Sequence, residues 1–168
     1  MAESSQATVS RAQVQARILS SHHFASMVIL GVALSTIAYL AAGLAVLNAR
    51  GTDHEPPQLR IPFYTVALFL GIGSVILRRT QLRWLKLETV SGYGGLDGLL
   101  KYLVNTTMLL AGIAELIGLL GLVLCFVGGG LRDVVTLGMI ALVLAISSYP
   151  KRSAWEKTIA YLQPDTSE

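Results

Sequence analysis

Between residues 103 and 127 the chain carries one charged side chain, Glu115, and everything around it is apolar, small or uncharged. A helix rising 1.5 Å per residue crosses a hydrocarbon core of about 30 Å in about 20 residues, so this run is long enough to span a bilayer. Three further uncharged apolar stretches lie at 24–47, 61–77 and 134–149. The first of them is amply long, and the other two lie near the lower limit, with Pro62, Phe63 and Tyr64 as interfacial residues at the start of the second span and Leu131 just before the fourth. Charged residues make up only 14% of the chain, against about 25% in globular proteins, and mean hydropathy is +0.60. The pattern predicts an all-α polytopic membrane protein with four transmembrane helices arranged as two hairpins, and it leaves no room for a separate soluble domain.

The basic residues then divide the chain. Arg11 and Arg17 precede the first span, Arg78, Arg79, Arg83, Lys86 and Lys101 lie in the link 78–102, and Lys151, Arg152 and Lys157 follow the fourth span. Only Arg50, Arg60 and Arg132 fall in the two opposite loops. By the positive-inside bias the segment 1–23, the link 78–102 and the tail 150–168 are cytoplasmic, flanking a transmembrane domain over 24–149. The sequence pI of about 9.2 thus reflects topology, and no alternation of basic and aromatic residues points to nucleic acid. The first apolar run exceeds the roughly 7–15-residue core of a secretory signal, so it reads as an uncleaved anchor.

Small residues recur at spacings of three and four. Helix one offers Gly31, Ser35, Ala38, Ala42 and Ala45, and helix three offers Ala111, Ala114, Gly118, Gly121, Cys125 and Gly128. Helix four has Gly138, Ala141, Ala145 and Ser148, and helix two has Ala67, Gly71 and Ser74. In lipid, where burying Leu gains little, such seams let backbones approach and collect dispersion contacts. They predict a compact bundle or a tight oligomer. Met27, Gly31, Val32 and Ala33 also align with Met108, Gly112, Ile113 and Ala114, and Thr65 and Trp84 with Thr136 and Trp155. The alignment suggests an internal duplication in which Leu34 stands where the second half has Glu115.

A carboxyl group at the centre of a bilayer is costly, so Glu115 is expected to face protein or water. Ser35, Thr36 and Tyr39 on helix one lie at about the same depth and are the partners the sequence offers. Three readings follow: an acid that only hydrogen-bonds across the bundle, a proton or sodium site, or an acid exposed to lipid without a partner. A transport path would normally place a counter-charge at that depth, and the spans hold none.

The run Thr106, Thr107, Met108 through Ala114, Glu115, Leu116, Ile117, Gly118, Leu119, Leu120, Gly121, Leu122 and Val123 resembles the carboxylate-bearing helix of rotary ATPase subunit c. That resemblance implies that Glu115 is an ion-binding acid on a helix entered from a basic cytoplasmic loop. Four helices with one acid are also similar to duplicated proteolipids of vacuolar-type enzymes, although those keep the acid on the fourth helix. The chain departs from the family in having only Gly71 and Gly73 on helix two and a much longer polar link. Gly128, Gly129 and Gly130 with the basic tail at Trp155 and Glu156 resemble small bacterial membrane proteins without assigned function.

The remaining candidates carry less chemistry. His22 and His23 are adjacent, so on a helix they project about 100° apart and cannot share a ligand between them. His54 beside Asp53 and Glu55 reads as solvated loop, and Gly92 to Gly98 lacks the Gly-Lys-Ser ending of a phosphate loop and reads as a hinge. Cys125 stands alone and reads as a small apolar group. Trp84 and Trp155 read as interface anchors, the latter on a short amphipathic helix over 153–162. No nucleophile or paired acid and base is visible, so no catalytic residue, metal or cofactor is assigned. The reading is a non-enzymatic accessory or structural subunit of a larger assembly in a bacterial cytoplasmic membrane, with lipids and copies of itself or other membrane subunits as partners. The alternative is a subunit c-like protein that binds a proton or sodium at Glu115.

Overall fold

A computed structural model describes residues 2–50, 58–81 and 84–150, together with 153 and 155. The described residues form four helices and no strand: α1 (Ala2–Arg50), α2 (Arg60–Gln81), α3 (Trp84–Phe126) and α4 (Leu131–Ser147). Three of them, α1, α2 and α3, are long and apolar enough to cross a membrane. At 17 residues, or about 25 Å, α4 is shorter than the hydrocarbon core it was expected to span.

Two of the helices outrun the expected spans. α1 covers 49 residues, about 73 Å at 1.5 Å per residue, and so includes most of the segment 1–23. α3 covers 43 residues and absorbs much of the link 78–102. It is broken once, at Gly95, whose φ of 56° and ψ of −155° lie in a region open essentially only to glycine. The stretch read as a hinge is therefore helix on both sides of a single glycine break. The overhanging parts of α1 and α3 cover each other: Val14, Ile18 and Ala25 pack with Leu87, Leu96, Leu99, Leu100 and Leu103. A second core lies further along, where Ile117 and Leu124 of α3 meet Leu137 and Ala141 of α4 and Ala67 of α2.

α3 is the central helix, packed against α1, α4 and α2, whereas α1 and α2 scarcely touch. The seam on α3 is inside, with Ala111, Ala114, Gly118, Gly121 and Cys125 all buried. So are Gly138, Ala141 and Ala145 on α4. A Cβ on Gly121 would stand 3.0 Å from Leu137 Cβ, and one on Gly138 would stand 2.6 Å from Leu40 Cδ2. On α1, Gly31, Ala38 and Ala42 face away from the other helices of the chain, and the stripe buried within it runs through Ala25, Ile29, Thr36 and Gly43. The stripe is displaced by one residue, about 100°, because α1 sits in the groove between α3 and α4 and Gly43 faces Val134.

The turn between α3 and α4 follows from its three glycines. Gly128, at φ 109°, ends α3; its N–H donates to Cys125 O at 3.3 Å and the Gly129 N–H to Leu124 O at 2.8 Å. This pair of bonds satisfies the last carbonyls of the helix. A Cβ on Gly129 would stand 2.7 Å from Leu124 O, so a side chain does not fit there. Asp133 then accepts from the Gly130 N–H at 3.1 Å and caps the start of α4.

Candidate polar site between α1 and α3

Glu115 lies half-buried on the face of α3 that meets α1. Ser35 and Tyr39 are four residues apart, hence on one face of α1, and they straddle the carboxyl group. Ser35 Oγ donates to Glu115 Oε2 at 2.6 Å, and the Tyr39 hydroxyl donates to Glu115 Oε1. Thr36, placed with them by depth, points elsewhere: it is buried, donates to Val32 O at 2.8 Å, and abuts Gly118. The structure thus brings Ser35 and Tyr39 to Glu115 and leaves Thr36 in the helix-packing stripe.

Ser35 Oγ also lies 2.9 Å from Val32 O. A hydroxyl has one proton and two lone pairs, so Ser35 can serve the site in two ways. Toward a carboxylate it donates to Oε2. Toward a protonated acid it accepts from Oε2 and turns its own proton to Val32 O. Tyr39 donates to Oε1 in both cases, so each form of Glu115 keeps one hydrogen bond to each oxygen with no heavy atom displaced. Among the described residues no Lys, Arg or His forms an ion pair with Glu115, and no group of three His, Cys, Asp or Glu side chains could hold a metal.

A second buried carboxyl group, Asp133, escaped the sequence reading. Arg60 Nε lies 2.7 Å from Asp133 Oδ1, and the side chains are 38% and 4% exposed respectively. The Tyr64 hydroxyl donates to the same oxygen at 3.0 Å, and the Arg60 guanidinium stands 5.9 Å from the Tyr64 ring centre. The available signal was local on each side: Asp133 three residues after Gly130, and Arg60 and Tyr64 one helical turn apart. Nothing in the sequence joins the two.

The other candidates are placed as follows. Ala114, Gly118, Gly121, Ala141 and Ala145 lie in the α3–α4 packing, whereas Gly31, Ala38 and Ala42 are on the surface of α1. Cys125 is buried, with Sγ 3.4 Å from Gly43 O. Trp155 is only 7% exposed and packs into the Ile18 and Leu99 cluster, so it faces protein and not an open interface. His22 meets the Trp155 ring edge-on at 5.8 Å and its Nε2 lies 2.9 Å from Pro150 O, while His23 is exposed. Trp84 begins α3, and its side chain lies outside the described residues, as do the loop 51–57 with His54 and most of the tail helix expected over 153–162.

No protein-family model, no curated protein and no solved structure matches this chain. The likeness to subunit c therefore rests on the residues of α3 alone.

Proposed function

We propose that this protein is a non-enzymatic, four-span integral membrane protein that acts as a structural or accessory subunit of a larger membrane assembly. The carrying observation is the contrast between its polar and apolar surfaces. Glu115 is satisfied inside the chain, whereas the apolar windows of α1 and α2 are only 17% and 11% buried, against 44% for α3. Outward faces of that kind suit lipid and partner helices, and a polar contact closed within the chain suits packing. α4 is counted as the fourth span because Val134, Leu137, Gly138, Ala141 and Ala145 bury one whole face of it. The distribution of Lys and Arg supports a cytoplasmic location for both termini.

The test is extraction of the tagged, full-length protein in a mild detergent. A stoichiometric membrane partner, or an assembly well above one chain and its micelle, supports the reading. A monodisperse single chain with no partner at any detergent concentration overturns it.

A second reading has its own observation. The Ser35, Glu115 and Tyr39 cluster accommodates the acid with or without its proton, as a proton-binding site requires. Under that reading a hydrophobic carbodiimide labels Glu115, labelling falls as pH rises or sodium is added, and Glu115→Gln abolishes function while leaving the assembly intact. A Gln variant equal to wild type in every assay removes it.

A further inference from the structure

Two arginines clip α2 to α4. At one end Arg60 pairs with Asp133 at 2.7 Å, and at the other Arg78 Nη1 donates to Ser147 O at 2.5 Å. Between these clips the helices barely meet, and the gap is an apolar groove of about 850 Å³. Its walls include Ala67, Gly71, Ile72 and Val75 of α2 and Ile140 of α4. From Arg60 to Val75 it extends about 22 Å, more than the ~15 Å of one leaflet's hydrocarbon. Ile72 and Val75 are 51% and 49% exposed, so the groove opens to the surroundings of the helix pair and is no sealed cavity.

The mouth of the groove is cationic. Arg60 and Arg132 both line it, and Arg132 is exposed and forms no ion pair among the described residues. The neighbouring carboxylate, Asp133, is already taken up by Arg60, Tyr64 and the Gly130 N–H. α2 and α4 both begin at this end, so the N–H groups of their first turns add to the positive potential. An apolar slot longer than a leaflet, with the unpaired Arg132 at its interfacial end beside the neutralised Arg60 and Asp133 pair, presents one net positive charge over a hydrocarbon-sized channel, which matches an anionic lipid in size and charge.

We propose that the α2–α4 groove binds one anionic phospholipid, its phosphate at Arg132 and Arg60 and an acyl chain along Gly71, Ile72 and Val75. The proposal rests on the membrane-spanning reading above and not on the accessory role. The apolar spans of α1 and α2 from a second copy fit less well, because residues 13–49 and 60–81 carry no carboxylate to meet the arginines.

The probe is phosphatidylglycerol against phosphatidylcholine, titrated into membrane-extracted, detergent-solubilised full-length protein, with bound lipid counted by native mass spectrometry. Phosphatidylglycerol should be retained preferentially, and Arg132→Gln should weaken it roughly fivefold, the effect of one arginine near a lipid phosphate, while weakening phosphatidylcholine, whose choline already offsets its phosphate charge, by less, so that the selectivity falls. Gly71→Leu puts a side chain where a Cβ meets nothing within 4 Å, so it should block both lipids without loss of helicity by circular dichroism. Equal retention of the two lipids, or an Arg132→Gln variant that keeps full selectivity, overturns the proposal. So does displacement by inorganic phosphate alone, or efficient copy-to-copy disulfide formation through Ile72→Cys in native membranes, which would seat a second copy in the groove. Resistance of the wild-type protein to carbonate extraction, read on the same membranes, tests the spanning reading separately: protein that stays in the membrane yet shows no lipid preference overturns the groove alone.

Discussion

Replacing Tyr39 by Phe and Glu115 by Leu, singly and together, measures what the α1–α3 polar contact is worth. Tyr39→Phe removes one donor to Glu115 and leaves Ser35 in place at 2.6 Å. Hydrogen bonds between transmembrane helices average about 0.6 kcal/mol and reach about 1.7, so the single change should destabilise by that order. Glu115→Leu removes the acceptor of both hydroxyls. Ser35 still has Val32 O at 2.9 Å, but the Tyr39 hydroxyl loses its partner, which costs about 1–3 kcal/mol. The coupling in the double-mutant cycle should therefore approach one helix-to-helix bond, about 0.6–1.7 kcal/mol. Glu115→Gln is the informative contrast. Its carbonyl accepts from Tyr39, and its amide donates to Ser35 Oγ as a protonated acid does, so stability should stay within about 0.5 kcal/mol of wild type. The assay is reversible unfolding of the micellar protein by titrated SDS, followed by far-ultraviolet circular dichroism. A coupling near zero, or a Gln variant as unstable as the Leu variant, refutes the argument that Ser35 and Tyr39 hold this side chain.

The packing and topology yield three further expectations. Gly121→Leu should push α4 off α3, since even a Cβ would stand 3.0 Å from Leu137, and should cost about 1–3 kcal/mol in the same titration; an unchanged midpoint would mean that the α3–α4 contact is not tight. Asp133→Ala should be more damaging than any exposed charge removal, about 1–3 kcal/mol, because it takes the acceptor from Tyr64 and the partly solvated Arg60 and uncaps α4 together; Asp133→Asn, which keeps the cap, should recover part of that loss. Cysteines introduced at Gly51 and Arg132 should react with an impermeant maleimide in intact cells, and ones at Thr89 and Ser167 only after lysis. Labelling at Thr89 in intact cells reverses the orientation.

Length and hydropathy made the all-α class and the spans of α1, α2 and α3 legible, because the bilayer imposes a fixed length on uncharged helix. Depth likewise placed Ser35, Thr36 and Tyr39 at the level of Glu115. Depth could not choose among them, since that requires the rotational setting of α1. α1 is apolar on every side within its span, so hydrophobic periodicity, which orients a helix in water, carries no information there. The small-residue pattern was the only remaining guide, and on α1 it pointed one residue away from the stripe that Thr36 and Gly43 occupy. On α3 and α4 the same pattern lies within the packing, because Gly121 and Gly138 stand where a neighbouring helix leaves no space for a Cβ.

The ends of the bundle were harder to read for a different reason. Outside the hydrocarbon, polar residues no longer distinguish a loop from a helix that leaves the membrane and packs on another. α1 and α3 both overrun the spans read for them, and the overhang forms a core around Ile18, Leu99 and Leu103. Trp155 belongs to that core, with His22 against its edge at 5.8 Å, so a tryptophan that reads as a membrane anchor instead fastens the segment after α4 to the overhang of α1. The Arg60 and Asp133 pair does the same at the opposite end between α2 and α4. Both fastenings join residues far apart in sequence through groups that are ordinary one at a time. With α4 held at its start by Arg60 and beyond its end by Trp155, α2 meets α4 only sparsely between Ala67 and Arg78, and the groove that a lipid of the right charge would fill lies along that stretch.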